Sequence, residues 1–181
     1  SNNLNWASHI NNITSKANNT LRFIKRNVRT ENKQVKETAY KTYVRPQVEY
    51  CSTVWSPWQK YLINKLEMVQ RSAARYILND YSYTSSVSNM INTLNWKPLE
   101  YRRNQATLVM FYKIRNELVA VDHHHLIPTR NLNFLIPHSK TNYHANSFFP
   151  RSIRLWNSLP MHIQSIPNLQ TFVSRLDSHT L

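Results

Sequence analysis

The chain has 181 residues, of which 41% are hydrophobic and 12% aromatic, enough for one folded domain or a domain with an appendage. Its 23 Lys and Arg residues against nine Asp and Glu residues give a net charge of +14, which favours binding to polyanions, nucleic acid first and anionic membranes second. The chain has no glycine, which excludes glycine-rich phosphate loops, dinucleotide-binding fingerprints and nucleophile elbows.

Cysteine content and hydropathy set the expected location. Cys51 is the only cysteine, so an intrachain disulfide and a cysteine-based zinc site are excluded, and a reducing, intracellular location, nuclear or cytoplasmic, is expected. No apolar run approaches 18 residues, so no membrane span is predicted. The first residue is Ser rather than Met, which indicates a fragment or a processed product.

The first predicted helix covers about residues 7–29. Its apolar residues recur at intervals of three and four, which is the spacing of one helix face: Ile10, Ile13, Ala17, Leu21, Ile24 and Val28. Four cations fall on a neighbouring face, about 100° around the helix axis: Arg22, Lys25, Arg26 and Arg29. The pattern therefore predicts a basic stripe beside the buried one.

Two further helices follow. Asn32 is the candidate N-cap of the second, whose predicted buried residues are Val35, Ala39 and Tyr43; Pro46 then kinks or breaks it. Helical spacing resumes with Val48, Cys51, Val54 and Trp55 and stops at Ser56-Pro57. The third helix has the predicted buried face Leu62, Leu66, Val69, Ala73 and Tyr76. Arg71 and Arg75 lie four residues apart on its other side.

The fourth and fifth helices complete a predicted bundle of about five helices. The fourth covers residues 84–94, with Val87, Met90, Ile91 and Leu94 inward. Pro98 fits the first turn of the fifth, which is expected to run to about Val119 along the spine Leu99, Ala106, Met110, Ile114 and Leu118. Because the chain has no glycine, left-handed helix ends are expected to fall to asparagine.

The remaining sequence is less regular. Residues 122–150 predict a loop-rich linker with at most one short strand, and residues 152–159 predict two helical turns. Pro167 is expected to open a last helix, with Leu169, Phe172, Val173 and Leu176 inward. The fold class is therefore all-α: a bundle over residues 1–121, a linker over 122–150, and a C-terminal helical segment over 151–181 that packs back on the bundle.

Catalytic and metal-binding signatures are weak. Two-metal phosphoryl transfer needs clustered carboxylates, yet only Glu117 and Asp122 lie within five residues of each other and no Asp-Asp pair exists. The triplet His123, His124 and His125 has a metal-binding and a surface-loop interpretation; consecutive histidines cannot all converge on one ion from regular structure, which favours the loop. Neither an enzymatic activity of the chain alone nor a cofactor is predicted.

Arginine and aromatic clusters are the stronger indication. Guanidinium groups suit phosphates, and flat rings stack on unpaired bases. The candidate nucleic-acid-binding residues are Arg22, Lys25, Arg26, Arg29, Arg45, Arg71, Arg75, Arg102, Arg103, Arg151 and Arg154. Each cluster has the alternative role of a solvated helix face. The expected structural anchors, with base stacking as their alternative role, are Trp55, Trp96, Phe148, Phe149 and Trp156.

Several motifs resemble those of one polymerase family. In chain order the motifs are YKTYVRPQVEY (residues 40–50) followed by Val54-Trp55, KLEMVQRSAARY (65–76), LNWKPLEYRR (94–103), SFFPRSIRLWNSLP (147–160) and the last helix with Phe172. In this order they resemble the region downstream of the palm in non-LTR (LINE-type, jockey-like) retrotransposon reverse transcriptases. Two features depart from the family: it often has a glycine where Glu117 stands, so the fifth helix is expected to run on, and the histidine triplet has no counterpart.

The resemblance implies a thumb and C-terminal region that grips template RNA or an RNA–DNA hybrid. The catalytic aspartates and their Mg²⁺ would belong to a palm upstream of Ser1, so the implied partners are RNA, DNA or hybrid and that palm, without a membrane. The alternative is a non-enzymatic helical module that binds a protein partner, or an inert remnant of a mobile element. In the stretch at residues 147–160, Arg151 and Arg154 either face outward toward phosphate or pair with helix ends in a structural clamp.

Overall fold

The structure is a computed structural model that describes residues 6–123 and 126–179. The described residues are 67% helical and form no strand, so the all-α prediction is confirmed. The chain divides into two compact units, one ending at Glu100 and the other beginning at Tyr101. The predicted boundary at residue 121 and the predicted linker therefore lie inside the second unit.

The helices of the first unit are α1 (Ala7–Asn27), α2 (Lys33–Ala39), a π-helical segment (Tyr40–Val44), α3 (Arg45–Glu49), α4 (Ser52–Trp55), α5 (Lys60–Leu78) and α6 (Val87–Thr93). Helix α7 (Leu99–Arg115) starts in the first unit and continues in the second. The second unit also contains a 3₁₀ turn (Arg130–Leu132), α8 (Asn142–Ala145), α9 (Phe148–Asn157), α10 (Met161–Gln164) and α11 (Leu169–Ser178).

The core of the first unit forms where α1 packs against α5. The predicted face of α1 is buried or half-buried at every position, with Thr14 added between its apolar residues. The hydroxyl of Thr14 donates a 2.7 Å hydrogen bond to the carbonyl oxygen of Ile10, so this buried polar group has a partner. The predicted face of α5 is also buried, together with Gln70, Ala74 and Ile77. Both predictions are confirmed.

The predicted buried face of the second helix is wrong by one position. Val35 is 46% and Tyr43 63% exposed, and the buried residues are instead Lys36, Tyr40 and Val44, each one position later, followed by Val48. Contacts with α5 select this side: Lys36 Nζ lies 5.1 Å from the ring centroid of Tyr76, and the hydroxyl of Tyr40 donates a 3.3 Å hydrogen bond to Oε1 of Gln70. In the π-helical segment the N–H of Arg45 bonds to the carbonyl of Tyr40, five residues back, directly before Pro46, which cannot donate a backbone hydrogen bond.

Continuous helical spacing through Cys51 is also wrong. Cys51 adopts the left-handed conformation, with a φ of 51°, and separates α3 from α4. The reversal leaves Cys51 and Val54 exposed, while Ser52 and Trp55 are buried. Helix α4 then ends before Ser56-Pro57, as predicted.

Three helices end without glycine in the same left-handed motif. At Asn79, Asn95 and Glu117, φ is 53°, 52° and 55°. In each case the next residue's N–H bonds to the carbonyl five residues back, at 2.8–3.1 Å, and the left-handed residue's own N–H bonds three residues back. This is the Schellman arrangement. Asparagine thus serves at two of these ends, as predicted, and Glu117 at the third.

Helix α7 stops earlier than predicted because Glu117 turns the chain. The helix ends at Arg115, and Leu118, predicted to be buried, is 55% exposed. Ala106 and Met110 are only half-buried, and the fully buried positions of the second unit's part of α7 are Arg103, Thr107, Leu108, Phe111, Tyr112 and Ile114. Contacts with α9 and α11, namely Phe111 with Trp156 and Tyr112 with Phe172, rather than the helix's own periodicity, select the buried face.

The second unit is built around Trp156 of α9. Its indole ring lies 5.4 Å from the ring of Phe111 and 5.8 Å from that of Phe172 on α11, between centroids. The predicted two helical turns are part of the longer α9, and Asn168 caps α11, whose buried residues Phe172 and Leu176 were predicted. In place of a short strand, the described part of residues 122–150 has one isolated bridge between Pro128 and Phe134.

Candidate nucleic-acid interface

Exposed arginines lie on the C-terminal half of α1 and just after it. Arg22 and Arg26 are four residues apart, so they share a face of α1, and both are exposed. Arg29 is also exposed but lies two residues after the helix ends at Asn27, where its Nε donates a 3.2 Å hydrogen bond to the carbonyl oxygen of Arg26. The sequence of α1 contains four cations and no carboxylate. Asn19, Arg22, Lys25 and Arg26 line a shallow depression on this surface. We call Arg22, Lys25 and Arg26 of α1, with Arg29 just after the helix, the α1 basic face.

Lys25 lies at the edge of this face, half-buried where α1 meets α5. Its Nζ donates a 3.2 Å hydrogen bond to Oγ of Ser72. It also lies 6.0 Å from the ring centroid of Tyr76 and 5.9 Å from that of Tyr81, which are cation–π distances. Burial, and secondly the charge of Arg22, lower the pKa of Lys25. Lys25 therefore joins the basic face to α5 and to the loop that follows it.

Tyr76 fixes the C-terminal end of α1. Its hydroxyl donates a 2.9 Å hydrogen bond to the carbonyl oxygen of Val28. The Nζ of the buried Lys36 lies 5.1 Å from the centre of the same ring. The last turn of α1, which presents Arg26, and the segment that follows it are thus held to α2 and α5 through one tyrosine.

The loop after α5, residues 79–86, carries two exposed tyrosines, and we call it the tyrosine loop. Tyr81 is 59% exposed and Tyr83 is fully exposed. Arg75 reaches across the loop and donates to the carbonyl oxygens of Asp80 and Ser82, at 3.3 and 3.1 Å. Sequence reasoning missed these tyrosines; the signal was two aromatic residues among Asn, Asp, Ser and Thr, which are residues typical of exposed turns.

Arg71 and Arg45, two other candidates in the first unit, lie near carboxylates. Arg71 is exposed but lines a separate groove along α5 and α6, which also contains Glu67 and Glu100. Arg45 is half-buried, and its Nε lies 3.7 Å from a carboxylate oxygen of Glu49, four residues on. Arg75 is engaged in the tyrosine loop. The structure therefore groups the four cations of the α1 basic face, whereas Arg71, Arg75 and Arg45 lie apart from them in other surroundings.

The arginines of the second unit are mostly engaged within it. Arg103 is 1% exposed, so its side chain is part of the interior and cannot contact a phosphate on the surface; its assignment to the interface is corrected. Arg102 is half-buried. Arg151 and Arg154 donate to carbonyl oxygens at the C-terminal end of α8, Arg151 to Asn146 at 3.2 Å and Arg154 to Ala145 at 2.6 Å.

The bonds of Arg151 and Arg154 correspond to the clamp interpretation of residues 147–160. Cations at a helix C-terminus satisfy its unpaired carbonyls and interact favourably with its dipole. Burial, and secondly the charges of Arg154 and Arg103, lower the pKa of Arg151 to about 10. Arg154 is exposed, while Arg151 is half-buried.

The predicted anchors all make aromatic or hydrogen-bond contacts. Trp55 and Trp156 are buried, and their indole N–H groups donate to the carbonyls of Tyr50 and Leu132, at 2.7 and 3.0 Å. Trp96 is half-buried, stacks on Tyr40 with 4.7 Å between centroids, and donates to Glu37 at 2.8 Å. The half-buried pair Phe148 and Phe149 meet edge to face at 5.2 Å.

Metal-ligating groups are dispersed in the described part of the chain, where no three His, Cys, Asp or Glu side chains are placed to share an ion. His124 and His125 lie outside the described residues. The Nε2 of His123 lies 3.5 Å from a carboxylate oxygen of Glu117. Over residues 6–123 and 126–179, no helix has the length and apolar character that a membrane span requires.

Comparison of the chain with protein-family models, characterised proteins and solved structures found no match.

Proposed function

We propose that this chain is a nucleic-acid-binding region that holds RNA, DNA or an RNA–DNA hybrid through the α1 basic face. The observation that carries the proposal is the row of three exposed guanidinium groups: Arg22 and Arg26 lie on α1, which contains no carboxylate, and Arg29 lies two residues after it. Such a row attracts polyanions, because none of its charge is neutralised within the helix.

The dimensions of the row suit a phosphate backbone. Arg22 and Arg26 are four residues apart on α1, which is a rise of roughly 6 Å along the helix. That distance corresponds to about two base steps along one strand of a duplex. Guanidinium groups donate in a planar fork that matches phosphate oxygens, so contacts of this kind would hold the backbone with little dependence on base sequence.

In the context of the motif resemblance, we propose that the chain is the thumb and C-terminal part of a non-LTR retrotransposon reverse transcriptase. An all-α unit with the α1 basic face and dispersed carboxylates supports a gripping role. The upstream palm would then supply the catalytic aspartates and the Mg²⁺ ions. The second unit would then have a structural rather than a phosphate-binding role, since its Arg151 and Arg154 donate hydrogen bonds to its own backbone.

The test is a binding titration of the purified chain with fluorescently labelled RNA, duplex DNA and hybrid at several salt concentrations. Three or four phosphate contacts are expected to give a slope of log K against log salt of about −2 to −4. A flat salt response, or no binding to any of the three at physiological ionic strength, would contradict the proposal and favour a protein-binding module.

A further inference from the structure

We propose that the tyrosine loop is a stacking platform for unpaired nucleotides, so that the chain binds single-stranded RNA or DNA, or a single-stranded end, more tightly than continuous duplex. The proposal rests on the proposed function, because the α1 basic face would hold the phosphates of the same strand. It adds a ligand class that backbone contacts alone do not select.

The rings of the loop are accessible to a ligand. Tyr81 is 59% exposed and Tyr83 is fully exposed, and both belong to the same eight-residue loop. A single exposed aromatic residue is ordinary on protein surfaces. Two on one loop, next to a row of arginines, form the combination of rings and cations that binds single strands, where bases stack on aromatic faces and the backbone follows the positive charge.

The backbone of the loop is held in place before any ligand binds. Besides the two bonds from Arg75, the N–H of Ser82 donates to Oδ1 of Asp80 at 3.0 Å. A hydrogen bond from Ser85, and secondly that from Ser82, lower the pKa of Asp80, which keeps this acceptor ionised. The hydroxyls of Ser82 and Thr84 lie 2.9 Å apart. A loop ordered in this way loses little entropy when a base stacks on it.

Lys25 connects the rings to the arginines. Its Nζ lies 5.9 Å from the centre of the Tyr81 ring, and the same residue lines the depression that Arg22 and Arg26 form. A nucleotide whose base stacks on Tyr81 would therefore have its phosphate next to the α1 basic face. Lys25 is a positioning residue here, because its amine already donates to Ser72 and lies near Tyr76.

Stacking of this kind selects unpaired bases. In a continuous duplex each base face is covered by its neighbours, and only the backbone and the groove edges are available. In a single strand the bases unstack readily and can pack on aromatic side chains without regard to sequence. The arginines can bind both forms, whereas the tyrosines favour one.

The experiment compares anisotropy titrations of a labelled single-stranded RNA and a blunt RNA duplex of the same sequence. The variants are Tyr81→Ala with Tyr83→Ala, the ring-preserving Tyr81→Phe with Tyr83→Phe, and Tyr61→Ala as a control. Tyr61 is 63% exposed, similar to Tyr81, and lies at the opposite end of α5. Circular dichroism confirms that each variant folds.

The double alanine variant is expected to weaken single-strand binding about tenfold or more, with duplex binding within about twofold and the salt slope retained. The phenylalanine variant and Tyr61→Ala should bind like the unmodified chain. Equal loss of binding for both RNAs, or no loss for either, would overturn the stacking proposal. The proposed function would still stand if binding remained steeply dependent on salt. If the unmodified chain bound neither these RNAs nor DNA and hybrid of the same sequence, both proposals would fail.

Discussion

The hydroxyl of Tyr76 donates a 2.9 Å hydrogen bond to the carbonyl oxygen of Val28, the residue that follows α1. This bond joins the C-terminal end of α1 to α5 at the place where the α1 basic face meets the tyrosine loop. Val28 N–H bonds in turn to the carbonyl of Ile24. The orientation of Arg26 and Arg29 therefore depends on packing inside the first unit, with Tyr76 as the link.

Replacing Tyr76 with Phe is expected to lower the free energy of unfolding by about 1 kcal/mol, because it removes one hydrogen bond and keeps the ring. Urea denaturation followed by circular dichroism measures the change. The ring of Tyr61, on the same helix, is exposed, so Tyr61→Phe is the matched control and should change stability little. No loss of stability in Tyr76→Phe would contradict the described role of the bond.

Removing Trp156 is expected to unfold the second unit, since this residue is fully buried between Phe111 and Phe172. Truncation of a buried tryptophan costs about 3–5 kcal/mol. Thermal denaturation of Trp156→Ala, compared with Trp58→Ala at a residue that is 42% exposed, measures the difference. A folded Trp156→Ala variant that had only lost RNA binding would instead make Trp156 a stacking residue.

Glu117→Gly is expected to stabilise the chain by about 0.5–1 kcal/mol. Glu117 has a φ of 55° at the end of α7. This conformation disfavours residues with a Cβ and suits glycine. Relief of that strain is expected to exceed the cost of the greater flexibility of glycine in the unfolded chain. Urea denaturation checks the value. Asn79 occupies the same motif at the end of α5, and Asn79→Gly should gain less because asparagine tolerates this region. A lower stability of Glu117→Gly would contradict the account.

Stability should fall in acid partly through Glu37. Burial raises the pKa of Glu37, but the hydrogen bonds from Lys41 and Trp96, with the nearby charges, outweigh it and lower the pKa overall. A carboxyl whose pKa is lower in the folded than in the unfolded chain stabilises the fold, and this contribution is complete at pH values above its ordinary pKa. That contribution disappears as pH falls through the lowered value.

Glu37→Gln should therefore flatten the acid limb of a plot of melting temperature against pH. Lys41 Nζ lies 2.6 Å and Trp96 Nε1 2.8 Å from Oε1 of Glu37, and the amide oxygen keeps an acceptor for both. Glu31→Gln, at an exposed position, is the control. Parallel curves for Glu37→Gln and the unmodified chain would show that Glu37 does not contribute.

Regular periodicity allowed the α1 and α5 faces to be predicted, because both helices are long and each buries one side. The face of the second helix was predicted one position too early, because contacts of Lys36 with Tyr76 and of Tyr40 with Gln70 on α5 select its buried side. Likewise, the end of α7 depends on Glu117 adopting a conformation that its residue type does not favour.

The exposure of Arg22 and Arg26 on α1 agrees with the predicted basic stripe, but the helix ends at Asn27, before Arg29. The surroundings of the other arginines were not predicted. Burial of Arg103 and the bonds of Arg151 and Arg154 to the end of α8 depend on tertiary contacts that no local pattern contains. The tyrosine loop was missed because its proximity to Lys25 exists only once α1 and α5 pack together. The motif resemblance indicates a role for the chain but not which of its cations are presented to solvent.

The salt dependence of RNA binding by two charge-matched variants decides whether α1 carries the binding face. Arg22→Gln with Arg26→Gln removes two cations from the α1 basic face, and Arg130→Gln with Arg175→Gln removes two exposed cations from the second unit. The first pair is expected to make the slope of log K against log salt shallower by about 1.5 and to weaken binding, while the second leaves both nearly unchanged. Equal effects of the two pairs would show that only net charge matters and would contradict a binding face on α1.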